Sequence, residues 1–390
     1  GYFVSEVENK MKFLMISSFL PSVLNFRGKL LEAIHHQSHE IHIIAPDLEL
    51  FQPEMDKLKS LGYSVYSVEM QRTGTNPIAD IKTLFEIYKI TKKIKPDYVL
   101  SYTIKPVIYG TLAAYLAKVP NRFSLITGLG YAFQNVDSTS KRSTFQKIVH
   151  WLYKQALIRS SKVFFQNPDD LALFKQLNLL SNKVPAVVVN GSGVNVTDFE
   201  VVNLPRAVNG EVRVSFLLIA RLLQDKGIRE YVEAAKLIKK EYPQIEFNLV
   251  GWIDENPTAI KQQELDSWID GKIIKYWGKL SDVRPAIAES SIYVLPSYRE
   301  GTPRTVLEAM SMGRAIITTD APGCRETVEH DGNGYLVEVK SVTSLEMAMR
   351  KFIQNPELTE IMGTRSREIA LHKYDVHQVN HHMMTEMGIK

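Results

Sequence analysis

Short apolar segments alternate with amphipathic helical segments along the whole chain, and no other feature limits the possible folds as strongly. In the first half, the apolar segments typical of strands are residues 13–17, 41–45, 98–101, 122–126, 163–166 and 187–190. The segments with helical spacing are residues 28–36, 81–94, 107–117 and 145–159. Strands that are apolar on both faces are typical of parallel sheets covered by helices on both sides. The sequence therefore predicts an α/β fold.

The same alternation starts again in the second half. Strands are predicted at residues 214–220, 247–250, 273–276, 292–295 and 315–319, and helices at 227–240, 259–270 and 303–312, with further helical segments from residue 325 onward. Residues 190–211 separate the two series, contain Pro205 and have no helical period.

This pattern predicts two Rossmann-like domains with parallel sheets, because 390 residues exceed one ordinary core. We expect an N-terminal domain at residues 11–195, a linker at 196–211 and a C-terminal domain at 212–374. A last helix, at residues 375–390, is expected to pack back on the first domain. One continuous doubly wound sheet is the alternative.

Composition excludes several classes of protein. Hydrophobic residues make up 45% of the chain and charged residues 23%, which is typical of a folded globular protein. The single cysteine, Cys324, excludes a disulfide framework. No apolar run reaches the roughly 18–20 residues needed to cross a bilayer. Glu6 and Glu8, which precede Met11, are not typical of a signal peptide.

Positive charge is concentrated in one zone. The net charge is only +4, but residues 82–162 hold 14 Lys and Arg against three Asp and Glu. Such a zone favours nucleic acid, anionic lipid or phosphorylated ligands. Two amphipathic basic stretches, residues 81–95 and 141–162, would suit a helix lying on an anionic membrane. Core helices with a charged outer face are the alternative. Nucleic acid is disfavoured because the aromatic and basic residues form no recognisable binding module.

A cationic segment directly follows the first strand of the second half. Arg221 lies where that strand ends, and Lys226 lies beside Gly227 at the start of the next helix. Two cations and the N–H groups of a helix start can bind a diphosphate, since Arg can contact two oxygens at once. Two surface cations near a helix start are the alternative interpretation.

Two glutamates eight residues apart follow the strand at residues 292–295. Glu300 lies in the loop, and Glu308 is expected inside a helix that has Pro303 in its first position and Thr302 as its cap. Taken alone, this spacing is more often one solvated loop carboxylate and one carboxylate on a helix surface.

A third polar loop strengthens the functional interpretation. Gly251 opens the loop that follows the strand at residues 247–250. Three strand ends of one domain therefore carry, in chain order, two cations, a polar loop and the two glutamates. In open α/β sheets, ligands bind at this edge.

Several other chemistries are not supported. The chain has no complete G-x-G-x-x-G, no Walker A lysine motif and no Asp-x-Asp pair that would hold a divalent ion on a nucleotide. His35, His36, His39 and His42 form the densest histidine cluster. They lack suitable carboxylate or thiolate partners, so helix-end and loop histidines are the preferred interpretation.

At these motifs the sequence resembles the retaining glycosyltransferases of family 4, which have the GT-B fold: two Rossmann-like domains whose parallel sheets face a central cleft. The segments that carry the resemblance are residues 220–227, 296–308 and 313–317. Within the family, residues 127–130, 254–257 and 296–298 most resemble the bacterial α-1,3-N-acetylgalactosaminyltransferases that act on undecaprenyl-diphosphate-linked sugars.

The resemblance implies a role for each matching position. Arg221 and Lys226 would neutralise the leaving diphosphate, Glu300 would bind hydroxyls of the donor sugar, and Glu308 would bind the ribose. The other implied donor contacts are Gly251, Gly301, Thr302, Pro303 and Arg27, the last in an expected loop at residues 19–28. Many relatives have a histidine near the donor sugar where this chain has Ile104, so Thr103 or Lys105 would substitute.

The implied activity is a retaining, metal-independent hexosyltransferase. It would move N-acetylgalactosamine from a UDP-sugar to a polyprenyl-diphosphate-linked saccharide in bacterial surface-glycan or glycoprotein-glycan assembly. No cofactor is expected. The expected partners are the UDP-sugar, the lipid-linked acceptor and an anionic membrane surface, with the protein peripheral on the cytoplasmic side of the cell membrane.

Three alternatives stay open from the sequence. The chain could be a UDP-sugar 2-epimerase of the same fold, or a family 4 transferase with a different hexose donor. It could also be a peripheral membrane-binding module with a degenerate active site.

Overall fold

The computed structural model describes residues 10–72, 74, 76–133, 136 and 141–390. Residue contacts divide the chain into a first unit, Gly1–Ser192 with Asn380–Lys390, and a second unit, Gly193–Val379. Residues 196–211, expected as a linker, group with the second unit, and the end of the chain groups with the first. The interpretation of the segment before Met11 concerns residues 1–9, which lie outside the described part of the chain.

The first unit alternates strands and helices. Its strands are β1 (Lys12–Ile16), β2 (Glu40–Ala45), β3 (Ser64–Ser67), β4 (Tyr98–Tyr102), β5 (Asn121–Ile126), β6 (Lys162–Phe165) and β7 (Ala186–Val188). Its helices are α1 (Leu20–His36), α2 (Gln52–Ser60), α3 (Pro77–Ile94), α4 (Thr111–Leu116), α5 (Thr144–Leu157) and α6 (Pro168–Gln176). Within the described residues the strands form a seven-stranded parallel sheet in the order β3-β2-β1-β4-β5-β6-β7.

The second unit repeats the architecture. Its strands are β8 (Ser215–Ile219), β9 (Glu246–Val250), β10 (Lys275–Gly278), β11 (Ile292–Leu295), β12 (Ala315–Thr319) and β13 (Gly334–Val337). The helices that follow α6 are α7 (Ile228–Glu241), α8 (Gln262–Asp270), α9 (Arg284–Glu289), α10 (Arg304–Ser311), α11 (Val342–Gln354), α12 (Glu357–Lys373) and α13 (Val376–Met387). The described strands form a six-stranded parallel sheet in the order β10-β9-β8-β11-β12-β13. The prediction of two Rossmann-like α/β units with parallel sheets is confirmed.

The helices of the first unit cover opposite faces of its sheet. Successive side chains of a strand point to opposite faces, and in β1 Phe13 and Met15 belong to one core cluster while Leu14 and Ile16 belong to another. The first cluster includes α1, α2 and the end of α13; the second includes α3 and α4. Right-handed crossovers explain this division, since the chain moves in opposite directions from β1 to β3 and from β3 to β6.

The prediction of a loop at residues 19–28 is wrong, because α1 begins at Leu20. In the sequence, Pro21 suggests a chain reversal. Proline is nevertheless compatible with the first turn of a helix, where a backbone N–H has no partner within the helix. Leu20, Val23 and Leu31 are buried on one face of this helix, and that packing decides the structure.

Other differences concern short or polar elements. Strand β3 (SVYS), helices α2, α6 and α9, and strand β13 were not predicted, and the helix predicted at residues 107–117 begins with a π-helical turn, Pro106–Gly110. Strand β3 lies at the edge of the sheet, has only β2 as a neighbour and is at most half-buried, so it needs little apolar sequence.

Arg314, in one of the segments that carries the family resemblance, is a structural residue of the second unit. Its side chain is buried, and burial lowers the pKa of the guanidinium to about 10. Its N–H groups donate to six backbone carbonyls, those of Val202, Asn203, Ile287, Ala288, Ser290 and Met312. Arg314 therefore fixes the irregular segment before β8 against the end of α9, because one guanidinium donates to carbonyls of both.

Candidate active site

The second sheet has its topological switch point between β8 and β11. From β8 the chain proceeds to β9 and β10 on one side, and from β11 it proceeds to β12 and β13 on the other. Ligands of open α/β sheets bind at the carboxyl ends of the strands at this point. The loops that carry Lys226 and Glu300 follow β8 and β11. Both sequence motifs therefore begin at the switch point.

Lys226 and Glu300 form an ion pair that joins these two loops. The Nζ of Lys226 donates to Oε1 of Glu300 at 2.6 Å, and both side chains are mostly buried. The hydroxyl of Ser297 donates to the same carboxylate oxygen at 2.8 Å. An ammonium and a carboxylate are thus held in fixed positions at the strand ends. The pair offers a cation to an anionic ligand and hydrogen-bond acceptors to hydroxyl groups.

Gly227 allows the two loops to approach each other. Its φ of +73° is a left-handed conformation, and a Cβ atom at this position would collide with the carbonyl group of Pro296. The backbone N–H of Tyr298 donates to the carbonyl of Asp225 at 2.8 Å and closes the contact. Glycine at position 227 is therefore required by geometry and not only by loop flexibility.

The loop that follows β12 supports Glu300 from its other side. The N–H of Glu300 donates to the carbonyl of Pro322 at 3.0 Å. Gly323 has a φ of +81°, and its missing Cβ leaves space for the backbone of Glu300. Glu300 is thus positioned through its main chain by one neighbouring loop and through its side chain by another.

Tyr298 adds a connection that sequence reasoning missed. Its hydroxyl donates to Glu230 Oε1 on α7, and the Lys340 ammonium lies 4.9 Å from its ring centroid. Burial raises the pKa of Tyr298 well above its usual value, and the neighbouring Glu230 carboxylate adds to the effect. Only the position of Tyr298 inside the segment that carries the resemblance could have suggested this role; Glu230 gave no signal.

Arg221 and the loop after β9 form the next part of the site. A guanidinium N–H of Arg221 donates to Asp254 at 3.4 Å, and nearly half of the Arg221 side chain is exposed. Gly251 directly follows β9, and its carbonyl accepts a hydrogen bond from Tyr276. The structure therefore brings Arg221 together with the polar loop, as three converging strand ends predict.

Glu308 lies in α10, directly after the Glu300 loop. Only 9% of its surface is exposed, and burial raises the pKa of its carboxyl to about 7, although Arg304 opposes the shift. The expected helix start is wrong by one residue. Pro303 occupies the N-cap position, not the first helical position, so Thr302 is not the cap. Gly301 and Pro303 are buried between the two glutamates.

The first unit has its own switch point, between β1 and β4. The hydroxyls of Ser18 and Thr103 lie 2.9 Å apart across it. Thr103 has a φ of +68°, which is a strained conformation for a β-branched residue, and such strain is concentrated at functional sites. Sequence reasoning selected Thr103 but missed Ser18, since nothing marks a serine after the first strand.

Arg27 and Lys105 are less accessible than expected. Arg27 is buried in α1 with its guanidinium carbon 5.2 Å from the Tyr102 ring centroid. Lys105 is 4% exposed and its Nζ donates to Asp80 of α3 at 2.8 Å. Both cations therefore contact groups inside the first unit.

The described part of the chain contains no group of three or more His, Cys, Asp or Glu side chains placed to bind a metal ion. Among the same residues, none of the helices combines the length and the apolar character that crossing a membrane requires.

Two family models match the chain in order. The model described as "Glycosyl transferase 4-like" matches residues 21–167, and the model described as "Glycosyl transferases group 1" matches residues 213–355. The first matches within the first unit, and the second contains the switch-point loops described above.

Individual relatives agree with these models. The chain is 30% identical over 377 residues to the N,N'-diacetylbacillosaminyl-diphospho-undecaprenol alpha-1,3-N-acetylgalactosaminyltransferase of Campylobacter jejuni, covering 94% of this chain and 95% of the relative. It is 28% identical over 308 residues to the UDP-Gal:alpha-D-GlcNAc-diphosphoundecaprenol alpha-1,3-galactosyltransferase of Escherichia coli, covering 77% of each. The crystal structure of Anabaena Alr3699/HepE in complex with UDP superposes with a TM-score of 0.75 at 17% identity, covering 97% of this chain and 99% of that one.

Fold and site together define a GT-B glycosyltransferase. More narrowly, the chain belongs to glycosyltransferase family 4 and is a hexosyltransferase, which confirms the resemblance seen in the sequence motifs.

The Glu308 carboxyl predicts a pH dependence of stability. Its pKa is raised from an ordinary 4.5 to about 7 in the folded protein, so ionisation of Glu308 destabilises the fold as the pH rises between these values. We expect Glu308→Gln to gain stability relative to the parent by up to about 3 kcal/mol between pH 4.5 and pH 8. Urea unfolding across this range measures the difference.

A second variant is the matched control. Hydrogen bonds from Arg365 lower the pKa of Glu329, so its contribution to stability is lost only as the pH falls below the ordinary value of 4.5, and the difference between Glu329→Gln and the parent should change little from about pH 5.5 to pH 8. A Glu308→Gln curve parallel to that of the parent at every pH would show that the buried carboxyl does not titrate as described.

Proposed function

We propose that this enzyme transfers N-acetylgalactosamine from a UDP-sugar to a polyprenyl-diphosphate-linked saccharide in bacterial surface-glycan or glycoprotein-glycan assembly. Its similarity to the Campylobacter jejuni N-acetylgalactosaminyltransferase along nearly all of both chains supports this substrate pair. The Escherichia coli relative, whose name specifies a galactosyl donor and a diphosphoundecaprenol acceptor, supports the acceptor class.

The Lys226–Glu300 pair at the switch point carries this proposal. In glycosyl transfer the sugar–phosphate bond breaks and negative charge develops on the departing diphosphate. Lys226 would bind this charge directly, and Arg221, nearly half exposed beside the loop after β9, would bind a second oxygen. Stabilisation of developing charge by fixed cations is commonly the largest single contribution to catalysis.

The two glutamates would bind the rest of the donor. The Glu300 carboxylate would accept hydrogen bonds from hydroxyls of the transferred sugar, with Gly301, Thr302 and Pro303 beside it. Glu308 would accept hydrogen bonds from the ribose. Binding hydroxyl donors favours the ionised form of a carboxyl, which offsets the burial that raises the pKa of Glu308.

We propose transfer with retention and without a metal ion. The departing phosphate oxygen would take the proton of the acceptor hydroxyl on the same face of the sugar, so no side chain is required as the base. Arg221 and Lys226 supply the positive charge that a divalent cation supplies in other transferases.

We assign the donor to the second unit and the acceptor to the first. Thr103 and Ser18 are the acceptor-side candidates, because their hydroxyls meet at the switch point of the first sheet. Lys105 is held by Asp80, so we propose that it positions the Thr103 turn instead of contacting sugar. Gly251 remains a proposed donor contact from the family resemblance. Arg27 is buried against Tyr102 in the first unit, so we propose that it supports this unit instead of binding the donor.

We also propose that the enzyme works at the inner face of the cell membrane as a peripheral protein. Its acceptor would be anchored there, and the excess of Lys and Arg in residues 82–162 favours an anionic surface.

The substrate assignment is tested with a panel of donors. We expect transfer from UDP-N-acetylgalactosamine to a synthetic polyprenyl-diphosphate saccharide with a higher kcat/KM than from UDP-N-acetylglucosamine, UDP-galactose or UDP-glucose. Rates should be equal with and without EDTA, because side chains supply the cations. Preference for another donor would overturn the sugar assignment, and loss of transfer in EDTA would overturn the metal-free mechanism.

The role of Lys226 is tested by substitution. We expect Lys226→Ala to lower kcat by at least about 100-fold, because the departing diphosphate loses a fixed cation. Lys236→Ala is the control: this lysine lies in α7, is exposed and pairs with Glu233, so turnover should stay within about twofold of the parent. Similar rates for both variants, with unchanged circular dichroism, would contradict the assignment.

A further inference from the structure

The outer face of α3 is apolar in its first half. Ile78, Ile81 and Phe85 each expose more than half of their surface and follow one another at helical spacing. Lys89 and Lys92 continue the same stripe toward the end of the helix and are also exposed. A helix on the surface of a globular protein normally packs its apolar stripe against the core. In α3, Ile87 and Ile94 already form the buried side, so the helix carries a second apolar stripe that faces outward.

Helix α5 repeats this arrangement. Ile148 and Trp151 each expose more than half of their surface, while Val149 and Tyr153 face the core. Lys147 and Lys154 flank the exposed pair on the same side by helical spacing. Trp and Ile beside Lys on one helix face are typical of helices that lie in a membrane interface.

The two apolar stretches lie on the same surface. The π-helical turn Pro106–Gly110 packs against both α3 and α5, so it lies between them. Both helices begin at the carboxyl-end edge of the sheet, because each runs back from the end of one strand to the start of the next. The exposed apolar residues of α3, and Ile148 of α5, lie in the first halves of these helices and are therefore near the edge that carries Thr103, and Trp151 follows at the middle of α5.

The charge around this surface is predominantly positive. Residues 78–162 of the sequence hold 14 Lys and Arg against four acidic residues, of which Asp80 and Glu86 lie on α3 and the others are Asp97 and Asp137. A groove of about 550 Å³ at the end of α5 is lined by Lys154, Lys175 and Lys183 and contains no acidic side chain. The surface is thus complementary to anionic headgroups, because lysines near a bilayer are attracted to its negative surface.

We propose that the outer face of α3 and α5 is a membrane-docking surface that inserts Ile78, Ile81, Phe85, Ile148 and Trp151 into the headgroup region of an anionic phospholipid bilayer. The flanking lysines contact lipid phosphates, and the groove at Lys154 accepts a headgroup. This orientation brings the Thr103 edge of the first unit to the lipid surface. The proposal deepens the membrane location in the proposed function, since it assigns the contact to particular side chains.

A second copy of the chain is a poorer occupant of this surface. Two copies that met through it would bring together surfaces on which Lys and Arg outnumber Asp and Glu, and like charges disfavour such contact. On α3, Lys82 pairs with Glu69.

Vesicle flotation tests the docking surface. The variant Ile78→Ser/Phe85→Ser/Trp151→Ser should bind phosphatidylglycerol-containing vesicles at least about tenfold more weakly than the parent, because three large apolar side chains no longer insert. The control is Leu50→Ser/Met347→Ser/Ile361→Ser, which changes equally exposed apolar residues elsewhere and should leave binding within about twofold. Equal loss in both variants, or none in either, would overturn the proposal.

Tryptophan fluorescence tests whether Trp151 contacts lipid, without the need for a variant that changes three apolar residues. Brominated phospholipids should quench the tryptophan emission of the parent, and this quenching should largely disappear in Trp151→Phe. Quenching of the same size in both proteins would place the contact elsewhere. A concentration-dependent dimer that the triple serine variant abolishes would identify a second copy as the occupant and would overturn the proposal.

A transfer assay separates this proposal from the proposed function. With a water-soluble short-chain prenyl-diphosphate acceptor, parent and triple variant should have equal rates, whereas with a long-chain acceptor in vesicles the variant should be at least about tenfold slower. No transfer by the parent to either acceptor would refute the proposed function while vesicle binding still tests the surface. Equal rates of parent and variant in vesicles would refute the docking proposal alone.

Discussion

The contact between the Lys226 ammonium and the Glu300 carboxylate is the interaction on which the organisation of the active site depends. It joins the loops that follow β8 and β11, which are neighbours only because the strand order of the second sheet reverses there. Gly227 permits the close approach, and the Gly323 loop fixes the Glu300 backbone. The position of the Lys226 ammonium at the end of β8 therefore depends on three features together: the strand order of the sheet, the two glycines that allow the loops to approach, and the Glu300 carboxylate that compensates the buried charge.

Sequence patterning predicted the sheets well because buried parallel strands are continuous apolar runs. Strands β11 and β12 were predicted to the residue. The pattern failed where tertiary packing overrides local signals: α1 contains Pro21 and Gly28 yet is helical because its apolar face is buried. The short polar strand β3 gave no periodic signal, since only a neighbouring strand defines it.

The site was predictable in position but not in its contacts. Spacing and strand ends identified Arg221, Lys226, Glu300 and Glu308, because ligands of open α/β sheets bind where strands end and the next helices begin. Their partners could not be found this way. Glu230, which binds Tyr298 from α7, resembles any helix carboxylate in the sequence. Partners of this kind are brought together by packing between segments that are distant in the sequence. The sequence alone does not show which of these segments are close in space.

The proposed function depends most directly on one electrostatic interaction: we propose that Lys226 provides the positive charge that binds the diphosphate of the donor. Calorimetric titration of the parent and Lys226→Ala with UDP and with uridine measures it directly, since the two ligands differ only in the diphosphate. We expect the parent to bind UDP at least about 100-fold more tightly than uridine, and Lys226→Ala to lose most of this difference. Equal affinities in the parent, or an unchanged preference for UDP in the variant, would contradict the account.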